Sequence, residues 1–128
     1  MPALPLATQA RNELAALLGT VSGFKVHAVA PAVPIAPCLV IVPDSPWITP
    51  ERAGSVLNYR LRLKVLIVVD ARVNVQGIAK AEAATEKVLV AIGRKFQVDQ
   101  VSAPSLTDVG AQGSVLVTEV TTTSHITP

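Results

Sequence analysis

The stretch VLNYRLRLKVLIVVD, residues 56–70, decides how this chain is read. Its side chains alternate with a period of two, the mark of a β-strand whose two faces meet different surroundings. Tyr59, Leu61, Leu63, Val65, Ile67 and Val69 share one face and are apolar or aromatic throughout. Asn58, Arg60, Arg62, Lys64, Leu66 and Val68 share the other, which changes from basic to apolar halfway along. A strand this long is expected either to meet different neighbours at its two ends or to run past the rest of the domain.

Downstream, the spacing predicts a helix over 75–96, with Ile78, Ala81, Thr85, Val88, Leu89, Ile92 and Phe96 as its apolar stripe. Asn74 is placed to cap it. Lys80, Glu82, Glu86 and Lys87 fall on the wet side. Residues 97–112 read as a loop in which 106–109 can form a short strand. Residues 114–126 read as the last strand; the polar, β-branched run Thr121-Thr122-Thr123 suits an edge or an exposed position.

Upstream, three prolines punctuate residues 43–54, which therefore read as a loop carrying Trp47 and Ile48. Cys38-Leu39-Val40-Ile41-Val42 is a continuous apolar run, expected to be a strand buried on both faces. Ala30 to Pro37 holds three prolines and reads as a stiff, extended connector close to polyproline II. Phe24 to Val29 is a short strand. Residues 6–21 form the first helix, with Leu6, Ala10, Leu14, Leu17, Leu18 and Val21 on its stripe and Gly19 and Gly23 at its exit.

The connections between successive strands look too short for a parallel crossover. Two amphipathic helices need one apolar sheet face to cover. The expected fold is one α+β domain over residues 1–128, an antiparallel or mixed β-sheet with both helices on one face.

Composition narrows the function classes. With 128 residues the chain can close one ordinary core. Only 3% of residues are aromatic, so that core must be built from small and branched aliphatics. Charged residues are 16%, well below the roughly 25% of an ordinary soluble domain, so either a monomer has an unusually apolar surface or part of that surface is covered by neighbouring subunits. The net charge of +2 is mild, and Arg60, Arg62 and Lys64 are the one dense basic stretch. Alternate residues project to one side, so these three form a compact positive row, open to three readings: a solvated face, contact with an acidic subunit, or a lining facing DNA. The lone Cys38 excludes an internal disulfide framework and reads as a small buried hydrophobe. The first residues lack the pattern of a signal peptide, and no apolar stretch reaches bilayer length, so a cytoplasmic site of synthesis is expected.

No catalytic set, metal site or cofactor loop is expected. His27 and His125 lie far apart, and Cys38 and Asp44 have no ligand spacing relative to them. No serine sits in a nucleophile elbow, and no glycine loop matches a phosphate cradle. Asp99 and Asp108 read as solvated turn residues. The candidate interface residues are Trp47 and Ile48, the row Arg60, Arg62 and Lys64, and Thr121 and Thr123 of the last strand. Trp47 either anchors an interface or folds back over the core edge. The last strand either extends a sheet across a subunit boundary or is a plain edge.

One resemblance covers nearly the whole chain. The helix Ala7-Thr8-Gln9-Ala10-Arg11-Asn12-Glu13-Leu14-Ala15-Ala16-Leu17-Leu18 runs into Phe24-Lys25-Val26-His27. A Pro/Ala-rich connector leads to Cys38-Leu39-Val40-Ile41-Val42-Pro43, then to the long strand Tyr59 to Val69. The Ala-rich helix through Ala79-Lys80-Ala81-Glu82-Ala83-Ala84-Thr85-Glu86 follows, and the chain closes on Ser114-Val115-Leu116-Val117-Thr118-Glu119-Val120. This layout resembles the small tail terminator, or tail-completion, proteins of long-tailed bacteriophages, particularly those infecting actinobacteria. The resemblance is one of layout and texture, without a diagnostic motif.

It implies an α+β subunit without catalytic residues, a structural virion protein of the tail or neck that is assembled in the host cytoplasm. Such subunits join with copies of themselves into a ring, usually a hexamer. The ring caps the tail tube protein and presents a docking surface to the head–tail connector or stopper protein. DNA passes through its channel without sequence-specific contacts. Two other readings stay open: a different head–tail connector ring, such as a head-completion protein, and a small basic nucleic-acid-binding domain using Arg60, Arg62 and Lys64. Against the latter, the aromatic side chains that stack bases are almost absent. An enzyme with an unrecognised site is disfavoured by the scarcity of His, Cys and clustered carboxylates.

Overall fold

The alternation in residues 56–70 is realised as a strand inside a mixed sheet. A computed structural model describes residues 5–31, 35–53, 56–70, 74–93, 95–108 and 113–126, apart from the side chains of 53, 56, 74, 75 and 108. In chain order the elements are α1 (Leu6–Leu18), β1 (Lys25–His27), β2 (Cys38–Ala53), β3 (Val56–Asp70), α2 (Asn74–Ile92), β4 (Gln97–Val101), β5 (Ser105–Asp108) and β6 (Ser114–Ile126). The sheet runs β1-β2-β3-β6-β4, with β5 also paired to β6. The fold is α+β.

One face holds the main core. Leu39 and Ile41 of β2, Leu61, Leu63, Val65, Ile67 and Val69 of β3, and Leu116 and Val120 of β6 meet both helices there. The helices supply Ala10, Leu14 and Leu18 from α1 and Ala81, Ala84, Val88 and Ile92 from α2, with Val21 and Phe96 just past the helix ends. Branched side chains fill a pleated surface well, and each fully buried Leu, Ile or Val contributes about 1.5–3 kcal/mol relative to exposure. Both amphipathic stripes therefore land where the sequence puts them, with one exchange: Ile78 is 41% exposed, and Ala84 faces the core. Thr85 is accommodated in α2 by donating its hydroxyl to the Ala81 carbonyl at 2.7 Å.

The helix ends use different devices. Gly19 closes α1 in right-handed geometry, and the left-handed position falls later, on Gly23. Gly93 closes α2 at φ 59° and returns its N–H to the Leu89 carbonyl at 3.1 Å. The cap expected from Asn74 concerns a side chain outside those described.

Four expectations need correcting. First, residues 43–54 are not a loop: β2 continues to Ala53 and pairs with β3 down to Ala53↔Val56. Pro43 and Pro46 fall at a register shift between Pro43 and Ile48, which leaves Asp44 to Trp47 as an irregular step in the edge of the sheet, and Pro50 stands opposite Tyr59 in the resumed pairing. Second, β1 and β2 pair in parallel, Lys25↔Cys38 to His27↔Val40. Their connection, residues 28–37, is long enough when extended to return past a strand of only three residues.

Third, residues 97–108, the described part of the expected loop, are largely strand. β4 covers Gln97–Val101 and β5 Ser105–Asp108, and both pair with β6; residue 109 lies outside the described positions. Fourth, β6 is therefore an inner strand, and Thr121, Thr122 and Thr123 are 4%, 1% and 6% exposed. Threonine suits the position because it is β-branched and its hydroxyl can find a partner: Thr122 donates to the Leu63 carbonyl at 3.0 Å. The long β3 keeps β2 and β6 on its two sides and runs past the end of β6 by the residues before Tyr59.

Candidate assembly surface

The face of the sheet away from the helices is divided along its length, as the sequence of β3 indicates. At one end Cys38, Val40, Val68 and Val115 are buried together, with Ala36, Val42, Leu66 and Val117 against them. Cys38 has no solvent exposure, and burial raises its thiol pKa above the ordinary value. At the other end lies the basic row. Cross-strand pairing sets Arg60 beside His125, Arg62 beside Thr123 and Lys64 beside Thr121, all on one face.

The row is not a free positive stripe. Arg60 Nε lies 3.1 Å from Glu51 Oε1. Arg62 Nη2 lies 3.1 Å from Asp44 Oδ2. Lys64 Nζ sits between Asp44 Oδ1 at 3.7 Å and Glu119 Oε1 at 3.5 Å. Three cations thus face three carboxylates. Asp44 is the best sheltered, with its side chain 13% exposed, and it stands at the start of the step in β2. The ion pairs therefore tie that step to β3. Pairing within the chain leaves little uncompensated charge for phosphate groups, which works against a nucleic-acid reading of the row.

Asp99, expected in a turn, occupies the register shift of β4 between Val98 and Gln100. It accepts hydrogen bonds from the Thr123 hydroxyl and, at 3.0 Å, from Gln97 Nε2. With Arg60, Arg62 and His125 these residues line a polar cleft of about 280 Å³. His27 lies on β1, far along the sheet from His125. Among the described residues no group of three or more His, Cys, Asp or Glu could hold a metal ion. No helix among them is long and apolar enough to cross a membrane.

Trp47 and Ile48 come out on the helix side of the sheet end. They are 45% and 38% exposed. With Leu6, Tyr59, Leu61 and Ile126 they line an apolar groove of about 430 Å³ beside the first turn of α1. Trp47 thus stands at a rim, neither free in solvent nor folded into the core. The structure brings Trp47 and Ile48 together, and separately the arginine row with Thr121 and Thr123. The two groups lie on opposite faces of the same end of the sheet. Sequence reasoning missed the counter-ions Asp44, Glu51 and Glu119 and the groove residues Leu6, Tyr59 and Ile126. The signal for Tyr59 was its place among the apolar residues of β3, and that for Leu6 its place on the apolar stripe of α1.

No protein-family model matches the chain, and no curated protein does. Among solved structures it is similar to a chain in "Virion of native gene transfer agent (GTA) particle", with a TM-score of 0.51 and 19% identity. The match covers 96% of this chain and 95% of that one. At this identity the likeness is one of fold.

Proposed function

We propose that the chain is a structural virion protein without enzymatic activity, which forms a ring of about six subunits at the neck or tail end of a phage-like particle. In this reading the ring ends the tail tube and joins it to the head connector, and DNA passes through its channel. The observation that carries the reading is the fold shared with a virion chain over 96% and 95% of the two lengths. Low charge and exposed Trp47, Ile48, Val90 and Leu106 agree with a subunit whose surface is covered by neighbours.

The test is light scattering on the purified protein, with negative-stain images and a second sample mixed with the tail tube protein of its virion. The expected result is a ring of about six copies with an open channel, and capped tubes of limited length. A chain that stays monomeric in both samples and leaves tube growth unchanged would sink the reading.

A further inference from the structure

The helices leave one edge of the apolar sheet face uncovered. α1 lies over β1 and β2, and α2 over β3 and β6. One flank of α2 carries Lys80, Ala83 and Lys87 and borders a cleft shared with Phe24 and Pro37, beside β1. The other flank carries Ile78, Glu82 and Leu89, four and seven residues apart, and so faces β4 and β5. There Leu106 stands opposite Leu116 and Val101 opposite Val120. Residues directly opposite share a face. Leu116 and Val120 are buried, whereas Leu106 is 66% exposed and Val101 38%. The cover therefore stops at β6, and Leu106, Val101 and the half-exposed Ile78 form an open apolar face along that edge.

The opposite edge, on the same side of the sheet, is its complement. Trp47, Ile48 and Tyr59 line the apolar groove there, and so does Ala7 of α1. Arg11 follows Ala7 by one helical turn on the same side of α1. Its Nε is buried with no hydrogen-bond partner among the described residues, and Arg11 is in no ion pair among them. A buried N–H left unmatched costs free energy until a neighbour supplies an acceptor. Glu82, exposed on the free flank of α2, is also in no ion pair among the described residues. One edge is thus apolar with an unmatched cation, and the other apolar with an unmatched anion. Ile48 is level with Leu61, and Val101 is level with Val65, four residues along β3. Two copies offset by about 13 Å along the strands bring the apolar patches together.

We propose that the Trp47 edge of one copy docks on the uncovered β4–β5 face of a second copy of this chain, with Arg11 paired to Glu82 of the second copy. The two surfaces differ and lie at opposite edges of the subunit, so the contact is heterologous and can repeat around a closed ring. For closure into a ring it rests on the reading above; the contact itself does not.

Light scattering on the full chain over a range of concentrations tests it. Leu106→Asp and Ile48→Asp should each weaken self-association more than about tenfold, because each puts a charge into an apolar contact. Each variant keeps one intact edge, so at concentrations where both are monomers their equimolar mixture should give dimers and nothing larger. Arg11→Glu and Glu82→Arg should each weaken association about tenfold, and the chain carrying both should regain most of it. A double variant no better than the single ones overturns the pairing of Arg11 with Glu82. A wild-type chain that stays monomeric up to about 1 mM overturns the whole proposal. Rings formed by the Leu106→Asp chain would overturn this contact while leaving the ring reading intact. Wild-type chains that associate into open strings, and lose them with Leu106→Asp, would support the contact and count against the ring. Thermal melts confirm that each variant is folded, and regained association in the double charge variant is a result that misfolding does not give.

Discussion

The two faces of the sheet are built from the same alternating strands and meet opposite ends. On the helix side every β3 residue from Leu61 to Val69 is aliphatic and almost fully buried. On the other side β3 is apolar from Leu66 to Val68 and ion-paired from Arg60 to Lys64. The covered face resists unfolding. The open face and the sheet end beside Trp47 hold what a partner could meet. Dispersion and area set the energy of the first, whereas geometry between paired groups sets that of the second.

The largest effect should come from the covered face. Ile67→Ala or Leu14→Ala removes a side chain with no exposure and should cost about 2–5 kcal/mol in denaturant unfolding. A cost below that of the open-face changes would break the comparison. Next, Asp44→Ala strips Arg62 and Lys64 of a sheltered counter-ion and should cost about 1–3 kcal/mol. The same melts on Arg60→Ala should show about 0–1 kcal/mol, since the pair with Glu51 is exposed on both sides.

A smaller, sharper contrast lies within β6. Thr122 donates to the Leu63 carbonyl, whereas the buried Thr118 hydroxyl has no partner among the described residues. Thr122→Val should lose about 1 kcal/mol, and Thr118→Val should be neutral or stabilising. Equal losses would mean that Thr118 does have a partner in solution. The smallest effect is at Cys38. Its folded pKa is raised by burial, so the folded state keeps the thiol proton that the unfolded chain gives up. Its stabilising contribution is complete below the unfolded thiol pKa and falls as pH rises above about 8.5. Unfolding curves of wild type and Cys38→Ala across that range check it; the difference between them should narrow as pH rises.

Strands β3 and β6 and the cores of both helices were legible because one period governs each of them. Residues 56–70 and 114–126 match the strands found there. The sequence misled where a strand breaks its own period. Pro43 and Pro46 look like loop signals because proline cannot continue a ladder, yet a local register shift lets β2 resume at Ile48. Thr121 and Thr123 looked like edge residues because the short strands that cover β6, β4 and β5, have weak patterns of their own. The basic row was visible, but its neutralisation was not. Asp44, Glu51 and Glu119 come from other parts of the chain and meet the row only through pairing.

The central claim is that folding and assembly are carried by different surfaces. Light scattering and a thermal melt on Trp47→Ala, run beside wild type, test it most directly. Wild type should form particles of about six subunits, and the variant should be a monomer with an unchanged melting temperature. A variant that assembles like wild type, or that loses assembly only by melting well below it, would contradict the claim.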